Sequence, residues 1–292
     1  MVSRLPYTVP ITGGRRLELG DRTLVMAIVN ITPDSFAESA PSIDPERALD
    51  LALAAAAQGA DLLDLGAEST RPGAGVVPED EERRRLLPAL RAIVARVGLP
   101  VSVDTRKARV ARAALDAGAS IVNDISGLRY DAELGAVVAA AGAGLVLMHM
   151  RGTPQDMYRE ATYRDVAVEV ARELRESLEL AAAAGVPRES IVIDPGIGFA
   201  KRGEHSYEAL ARLGELAALD RPILVGTSRK SFLQGALGER PPAGRDWGTA
   251  ATVTAAILEG AHIVRVHAVG EMVQVARVAD EIRRKGRFSN TS

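Results

Sequence analysis

The chain has 292 residues, 47% apolar and 25% charged, an ordinary globular composition long enough for one large α/β core. A formal net charge of −2 and 3% aromatic residues offer neither a field nor a stacking platform for nucleic acid. The absence of cysteine removes disulfides, thiolate nucleophiles and cysteine metal sites together. No apolar run is long enough to span a bilayer, and residues 1–10 lack the apolar core of a secretory signal, so a soluble cytoplasmic protein is expected.

Residues 8–11 and 16–19 flank Thr12-Gly13-Gly14-Arg15, a turn signal that predicts a hairpin. From Thr23 onward, short β-rich apolar runs alternate with longer stretches of helical period. Strands are expected at 24–29, 62–65, 101–103, 121–122, 145–148, 191–193, 223–225 and 263–266. The helices between and after them are expected at 45–58, 79–97, 107–117, 131–141, 164–184, 206–219, 229–237 with 248–259, and 271–285. Eight βα repeats, with no Gly-rich phosphate fingerprint after the first strand, predict an α/β protein with a closed (β/α)8 TIM barrel. The expectation is a single domain over 1–292, with 1–22 as an N-terminal hairpin under the barrel and 286–292 as a frayed tail.

In such a barrel, chemistry sits where strands end and βα loops begin. There the sequence has Asn30, Gly66 to Gly73, Asp104, Asn123-Asp124, His149, Asp194, Gly226 to Lys230, and Arg265 with His267. Each has a plain structural alternative. Asp104 and Asp194 read equally as helix caps, Asn123 as an Asx turn, and Thr227-Ser228 as a cap. Arg71, Arg229 and Lys230 read as solvated charges, and His149 and His267 as ordinary histidines. Polar clusters at the same end of eight strands favour a site. Asp104, Asn123 and Asp194 suit a neutral heterocycle rich in N–H donors, and Arg71, Lys230, Arg265 and His267 suit an anion such as a phosphate ester or pyrophosphate.

Seven ordered motifs between residues 24 and 267 carry a resemblance: NITPDSF at 30–36, ESTRPG at 68–73, SVDT at 102–105, MHMRGTP at 148–154, DPGIGF at 194–199, GTSRKSF at 226–232 and RVH at 265–267. Together they resemble the bacterial dihydropteroate synthases. The resemblance implies a (β/α)8 transferase of folate synthesis that joins 6-hydroxymethyl-7,8-dihydropterin pyrophosphate to p-aminobenzoate, with sulfonamides as inhibitors. By position it implies Asp104, Asn123, Asp194 and Lys230 at the pterin, Arg265 and His267 on the pyrophosphate, and Phe199 among the substrate-binding residues. Asn30 would contact a Mg2+ cofactor that also touches the pyrophosphate. Thr70, Arg71 and Ser231 would frame p-aminobenzoate, with Asp34, Ser35 and Phe36 on a loop above it. Asp104, Lys230, Arg265 and His267 form the implied catalytic set, and a homodimer is implied as the assembly. The sequence departs from the family pattern at Ala67, at 37–40, at Ala200, where glycine is frequent, and at Ala268, where aspartate is common. A pterin-binding methyltransferase barrel shares the carboxylates and amide but has no need of the Arg265–His267 anion clamp. The loops at 30–43 and 66–78 are expected to be mobile when the site is empty and to close on the anion, so that p-aminobenzoate binds second.

Overall fold

The structure is a computed structural model that describes residues 4–31, 44–70, 73–159 and 161–287. Two short strands, β1 (Tyr7–Pro10) and β2 (Arg16–Leu19), pair antiparallel with Tyr7 opposite Leu19. Their turn needs both glycines, because Gly13 and Gly14 adopt φ of 73° and 71°, a region that side chains with a Cβ avoid.

Eight parallel strands follow: β3 (Leu24–Asn30), β4 (Leu62–Gly66), β5 (Val101–Asp104), β6 (Ile121–Asp124), β7 (Gly144–Met148), β8 (Ile191–Asp194), β9 (Leu224–Val225) and β10 (Ile263–Val266). They lie in the order β8-β7-β6-β5-β4-β3-β10-β9, and a parallel bridge between Ile193 and Ile223 brings the two end strands together, so the sheet curls into the expected barrel. Each strand reads as an apolar run because it is covered on both faces. Outward side chains such as Leu63, Leu65 and Val103 meet the helices, while inward Met26, Leu62, Ile121, Val146, Val192, Leu224 and Ile263 form a floor against Val9, Ile11, Leu17 and Leu19 of the hairpin. The hairpin therefore closes the amino-terminal end of the barrel.

The helices are α1 (Pro45–Ala57), α2 (Glu79–Arg96), α3 (Ala108–Asp116), α4 (Leu134–Ala141), α5 (Val166–Ala183), α6 (Gly203–Ala211), α7 (Gln234–Leu237), α8 (Asp246–Leu258) and α9 (Val269–Arg287). Local signals set several ends: Asp44 caps α1 ahead of Pro45, Asp165 caps α5 through Val168 N–H at 3.0 Å, and α4 stops at left-handed Gly142. Three expectations need correction. The helix expected over 206–219 is α6 followed by the 3-10 stretch Leu213–Leu219, with Gly214 at the change, where its missing side chain disfavours regular α-helix. The helix expected over 229–237 is only the 3-10 turn Ser231–Leu233 running into α7, because Arg229 sits at φ 60° and cannot begin a helix. Residues Gly286 and Arg287 continue α9 rather than opening a frayed tail. Among the described residues no helix is long and apolar enough to cross a membrane.

Candidate active site

One step further along the strands, the barrel interior changes character. Asp64 on β4, Asn123 on β6, Asp194 on β8 and Arg265 on β10 share the inward-facing positions of the floor residues, two residues beyond them in sequence, and on β5 Ser102 pairs with Asp64 and Asp104 with Asn123. The Arg265 guanidinium joins the layer: Nε donates to Asp64 Oδ2 at 2.6 Å and Nη2 to Asp104 Oδ2 at 3.0 Å. Asn123 Nδ2 donates to the same Asp64 oxygen at 3.2 Å. Asp64 is fully buried and its other oxygen has no protein partner among the described residues; neither does the hydroxyl of Ser102 on the neighbouring strand.

Burial pushes the Asp104 carboxyl up to about 7, against the pull of the Arg265 guanidinium. Asp194 is also raised by burial, opposed chiefly by Lys230. Neither aspartate caps a helix: α3 begins at Ala108 after uncapped Lys107, and Asp194 accepts only Gly196 N–H, at 2.7 Å, leaving its second oxygen without a hydrogen bond among the described residues. Lys230 donates to the Ile197 carbonyl and lies 4.3 Å from the centre of the Phe199 ring. Burial pushes its ammonium down to about 8, with Asp194 pulling the other way.

Beside this layer, Ser228 Oγ accepts the backbone N–H of His267 at 3.2 Å and lies 2.9 Å from its Nδ1. Ala268, which follows, offers no carboxylate, and a serine from the loop after β9 contacts the ring instead. Arg229 is neither a solvated charge nor a site residue, since Asp246 at the start of α8 holds it through two contacts of 2.8 Å. Ser231 is exposed and Thr70 half-buried on the rim. Arg71, Asp34, Ser35 and Phe36 lie outside the described residues, as does most of the first loop.

The second loop is tied at both stems. Lys107 Nζ, almost fully buried, donates to Glu68 Oε2 at 2.8 Å, the Val77 carbonyl at 2.7 Å and Glu82 Oε2 at 2.5 Å. Val77 N–H donates to Glu68 Oε1 at 3.1 Å, and Thr105 Oγ1 to Glu82 Oε1 at 2.7 Å. The expectation that little holds this loop therefore needs correction at its ends, where buried ion pairs fasten it.

Asn30, at the end of β3, lies beside Gly66. A Cβ built at Gly66 would stand 3.6 Å from Asp104 Cβ, 3.8 Å from Asp104 Oδ2 and 4.0 Å from Asn30 Oδ1, so the glycine leaves a space between the Asp104 and Asn30 side chains. Among the described residues no three His, Asp or Glu gather to hold a metal ion by themselves. A lone amide oxygen suits a magnesium ion that keeps waters and arrives bound to phosphate oxygens.

Asp64, Lys107 and Lys201 escape a reading confined to strand ends. A charge inside the apolar run Leu62-Leu63-Asp64-Leu65 is the signal that marks Asp64, because a buried strand keeps a carboxylate only with a partner.

An upper layer of buried carboxylates, an amide and cations, mounted on a (β/α)8 barrel, defines an enzyme that takes a polar heterocycle. Residues 26–267 match the family model described as Pterin binding enzyme, and the chain belongs to that family. A dihydropteroate synthase of Synechocystis sp. is 44% identical over 279 residues, covering 95% of this chain and 96% of its own. The dihydropteroate synthase of Xanthomonas albilineans solved with 4-aminobenzoic acid superposes with a TM-score of 0.87 at 41% identity, covering 94% of this chain and 98% of its own. That of Yersinia pestis in a sulfonamide drug complex gives 0.88 at 38% identity, with the same coverage. Within the family the chain is an enzyme of the dihydropteroate synthase kind, a transferase of folate synthesis.

Proposed function

We propose that the upper layer of the barrel works as one site with two ends, a pterin end at Asp104, Asn123, Asp194, Phe199 and Lys230, and a pyrophosphate end at Arg265 and His267. The observation that carries this is the inward convergence of Asp104, Asn123 and Asp194 with Arg265 bonded into the same layer. The reaction joins 6-hydroxymethyl-7,8-dihydropterin pyrophosphate to p-aminobenzoate. The methylene C–O bond breaks, the aniline nitrogen forms the new C–N bond and loses a proton, and 7,8-dihydropteroate and pyrophosphate leave.

The bonds inside the layer suit those tasks. Asp194 has an oxygen to accept a ring N–H, and Asn123, turned by Asp64, keeps its carbonyl and second N–H for the heterocycle. Positive charge develops on the pterin methylene as the C–O bond lengthens, and the Asp104 carboxylate stabilises it at a site screened from water. Arg265 and His267 take the growing negative charge of the leaving group, the histidine aligned by Ser228. Asn30, beside the space at Gly66, would contact Mg2+, which when bound supplies further charge to the pyrophosphate. Thr70, Arg71 and Ser231 frame p-aminobenzoate, and Asp34, Ser35 and Phe36 cover it. Sulfonamides compete for that end. The chain acts as a single domain, as a homodimer in the cytoplasm.

Titration calorimetry tests the division. Asp194→Asn should weaken 6-hydroxymethylpterin by roughly 1.5–3 kcal/mol, the worth of a hydrogen bond to a charged group, and leave inorganic pyrophosphate with Mg2+ unaffected. Arg265→Ala and His267→Ala should do the reverse. Equal losses for both ligands in every variant would refute a two-ended site.

A further inference from the structure

Lys201 is 1% exposed and reaches no solvent, yet nothing in the condensation uses it. All three of its donors are engaged: Nζ lies 2.9 Å from His149 Nδ1, 3.1 Å from the Gly196 carbonyl and 3.1 Å from the Phe199 carbonyl. The two carbonyls belong to the loop that leaves β8 at Asp194. The histidine belongs to the end of β7 and is fully buried, and its other nitrogen lies 2.9 Å from Glu173 Oε2 on α5. Glu173 is held in turn by Arg151.

That loop does not rest in a relaxed shape. Gly196, Gly198 and Ala200 take φ of 65°, 81° and 47°, and the last has a Cβ, which the left-handed region disfavours. A Cβ at Gly196 would stand 2.0 Å from the His149 carbonyl, so the loop backbone is pressed directly on the strand end that carries the histidine. The same short loop sets the Ile197 carbonyl under Lys230 and the Phe199 ring against it, and Tyr163 Oη donates to the Ala200 carbonyl at 3.0 Å. A contour with alternate left-handed residues persists only where surrounding bonds over-determine it.

We propose that Lys201 is a positioning residue for the pterin end of the site: it fastens the loop at 194–200 to His149, and through His149 to Glu173, in the shape that presents Asp194, Phe199 and the carbonyl that holds Lys230. This rests on the assignment of those residues to the pterin. With Lys201 protonated, its ammonium on Nδ1 calls for a lone pair there and the Glu173 carboxylate on Nε2 for an N–H there, a pattern that the neutral Nε2–H tautomer meets.

The test compares Lys201→Met with Asp194→Asn by calorimetry against 6-hydroxymethylpterin and against inorganic pyrophosphate with Mg2+. Folded Lys201→Met should bind the pterin at least tenfold more weakly and pyrophosphate within twofold of the parent, a split that a general loosening of the barrel would not give. Pterin affinity within twofold of the parent, or equal losses for both ligands, overturns the role of Lys201. If Asp194→Asn also keeps its pterin affinity, the failure belongs to the site assignment instead. Should Lys201→Met not fold, nitrogen NMR of the 15N-histidine-labelled parent decides: the neutral Nε2–H form of His149 at pH 7 supports the latch, and the Nδ1–H form or a doubly protonated ring overturns it.

Discussion

At the amino-terminal end of the barrel the interior is filled by Met26, Leu62, Ile121, Val146, Val192, Leu224 and Ile263, sealed by the apolar face of the hairpin. Two residues further along the same strands the inward positions hold Asp64, Asn123, Met148, Asp194, Gly226 and Arg265. One period of the β pleat separates a dry floor from a layer of buried charge. The floor needs only shape and apolar area, and its residues gain by being out of water. The polar members of the layer above it are groups that burial penalises, and Asp64, Asn123, Asp194 and Arg265 are each tolerated with a counter-charge or hydrogen bond from another strand or loop. Stability should therefore respond mainly to the lower end and ligand affinity mainly to the upper.

The largest effect should come from the floor. Leu62→Ala removes a fully buried side chain and should cost about 2–5 kcal/mol in urea unfolding, while the folded variant binds 6-hydroxymethylpterin with the parent's affinity. A pterin affinity that falls in step with stability would erase the distinction between the two ends.

The latch on the upper layer should make its own contribution pH-dependent. Burial drives the pKa of His149 down to about 3 from the ordinary 6.5, with the Lys201 ammonium adding to the effect, so the folded protein keeps the ring neutral where the unfolded chain takes up a proton. The resulting stability is fully present above pH 6.5 and is lost as the pH falls toward 3, by about 1.4 kcal/mol per pH unit for the one proton. Glu173, which burial would raise, is held well below the usual carboxylate range by bonds from His149 and Arg151, and its contribution is likewise lost on acidification. His149→Asn keeps an acceptor for Lys201 and removes the titration. Unfolding free energies between pH 7.5 and 5 should fall more steeply in the parent than in this variant, and parallel curves would show that the histidine does not stay neutral.

A smaller effect of opposite sign belongs to Ala200. Replacing it by glycine relieves the φ of 47° and should raise stability by about 0.5–1 kcal/mol, net of the added freedom of the unfolded chain. An unfolding midpoint below the parent's would mean that the loop is not strained there.

Much of the frame was legible because parallel strands covered on both faces are near-continuous apolar runs: the run at 24–29 extends only to Asn30, and that at 263–266 is β10. Residues at strand ends, Asp104, Asn123, Asp194 and Arg265, were legible for the same reason, since the end of an apolar run locates the mouth of the barrel. The ties between them were not. Arg265 meets Asp64 across 201 positions, and Lys201 meets His149 across 52, separations at which no local periodicity operates. The strand expected at 223–225 is β9, but the turn at Arg229 escaped, because its left-handed backbone and the Asp246 ion pair, rather than propensity, shape that stretch. Ala268 illustrates the limit of reading by position: no carboxylate follows His267, yet Ser228, 39 residues away, lies 2.9 Å from its ring.

Pyrophosphate release by the purified parent chain, followed with a coupled assay while the pterin pyrophosphate, Mg2+ and p-aminobenzoate are omitted one at a time, tests the proposed condensation most directly. Steady release should require all three and match the formation of 7,8-dihydropteroate one for one. Sustained release without p-aminobenzoate, or none with all three present, would contradict the assignment of this barrel's upper layer to that condensation.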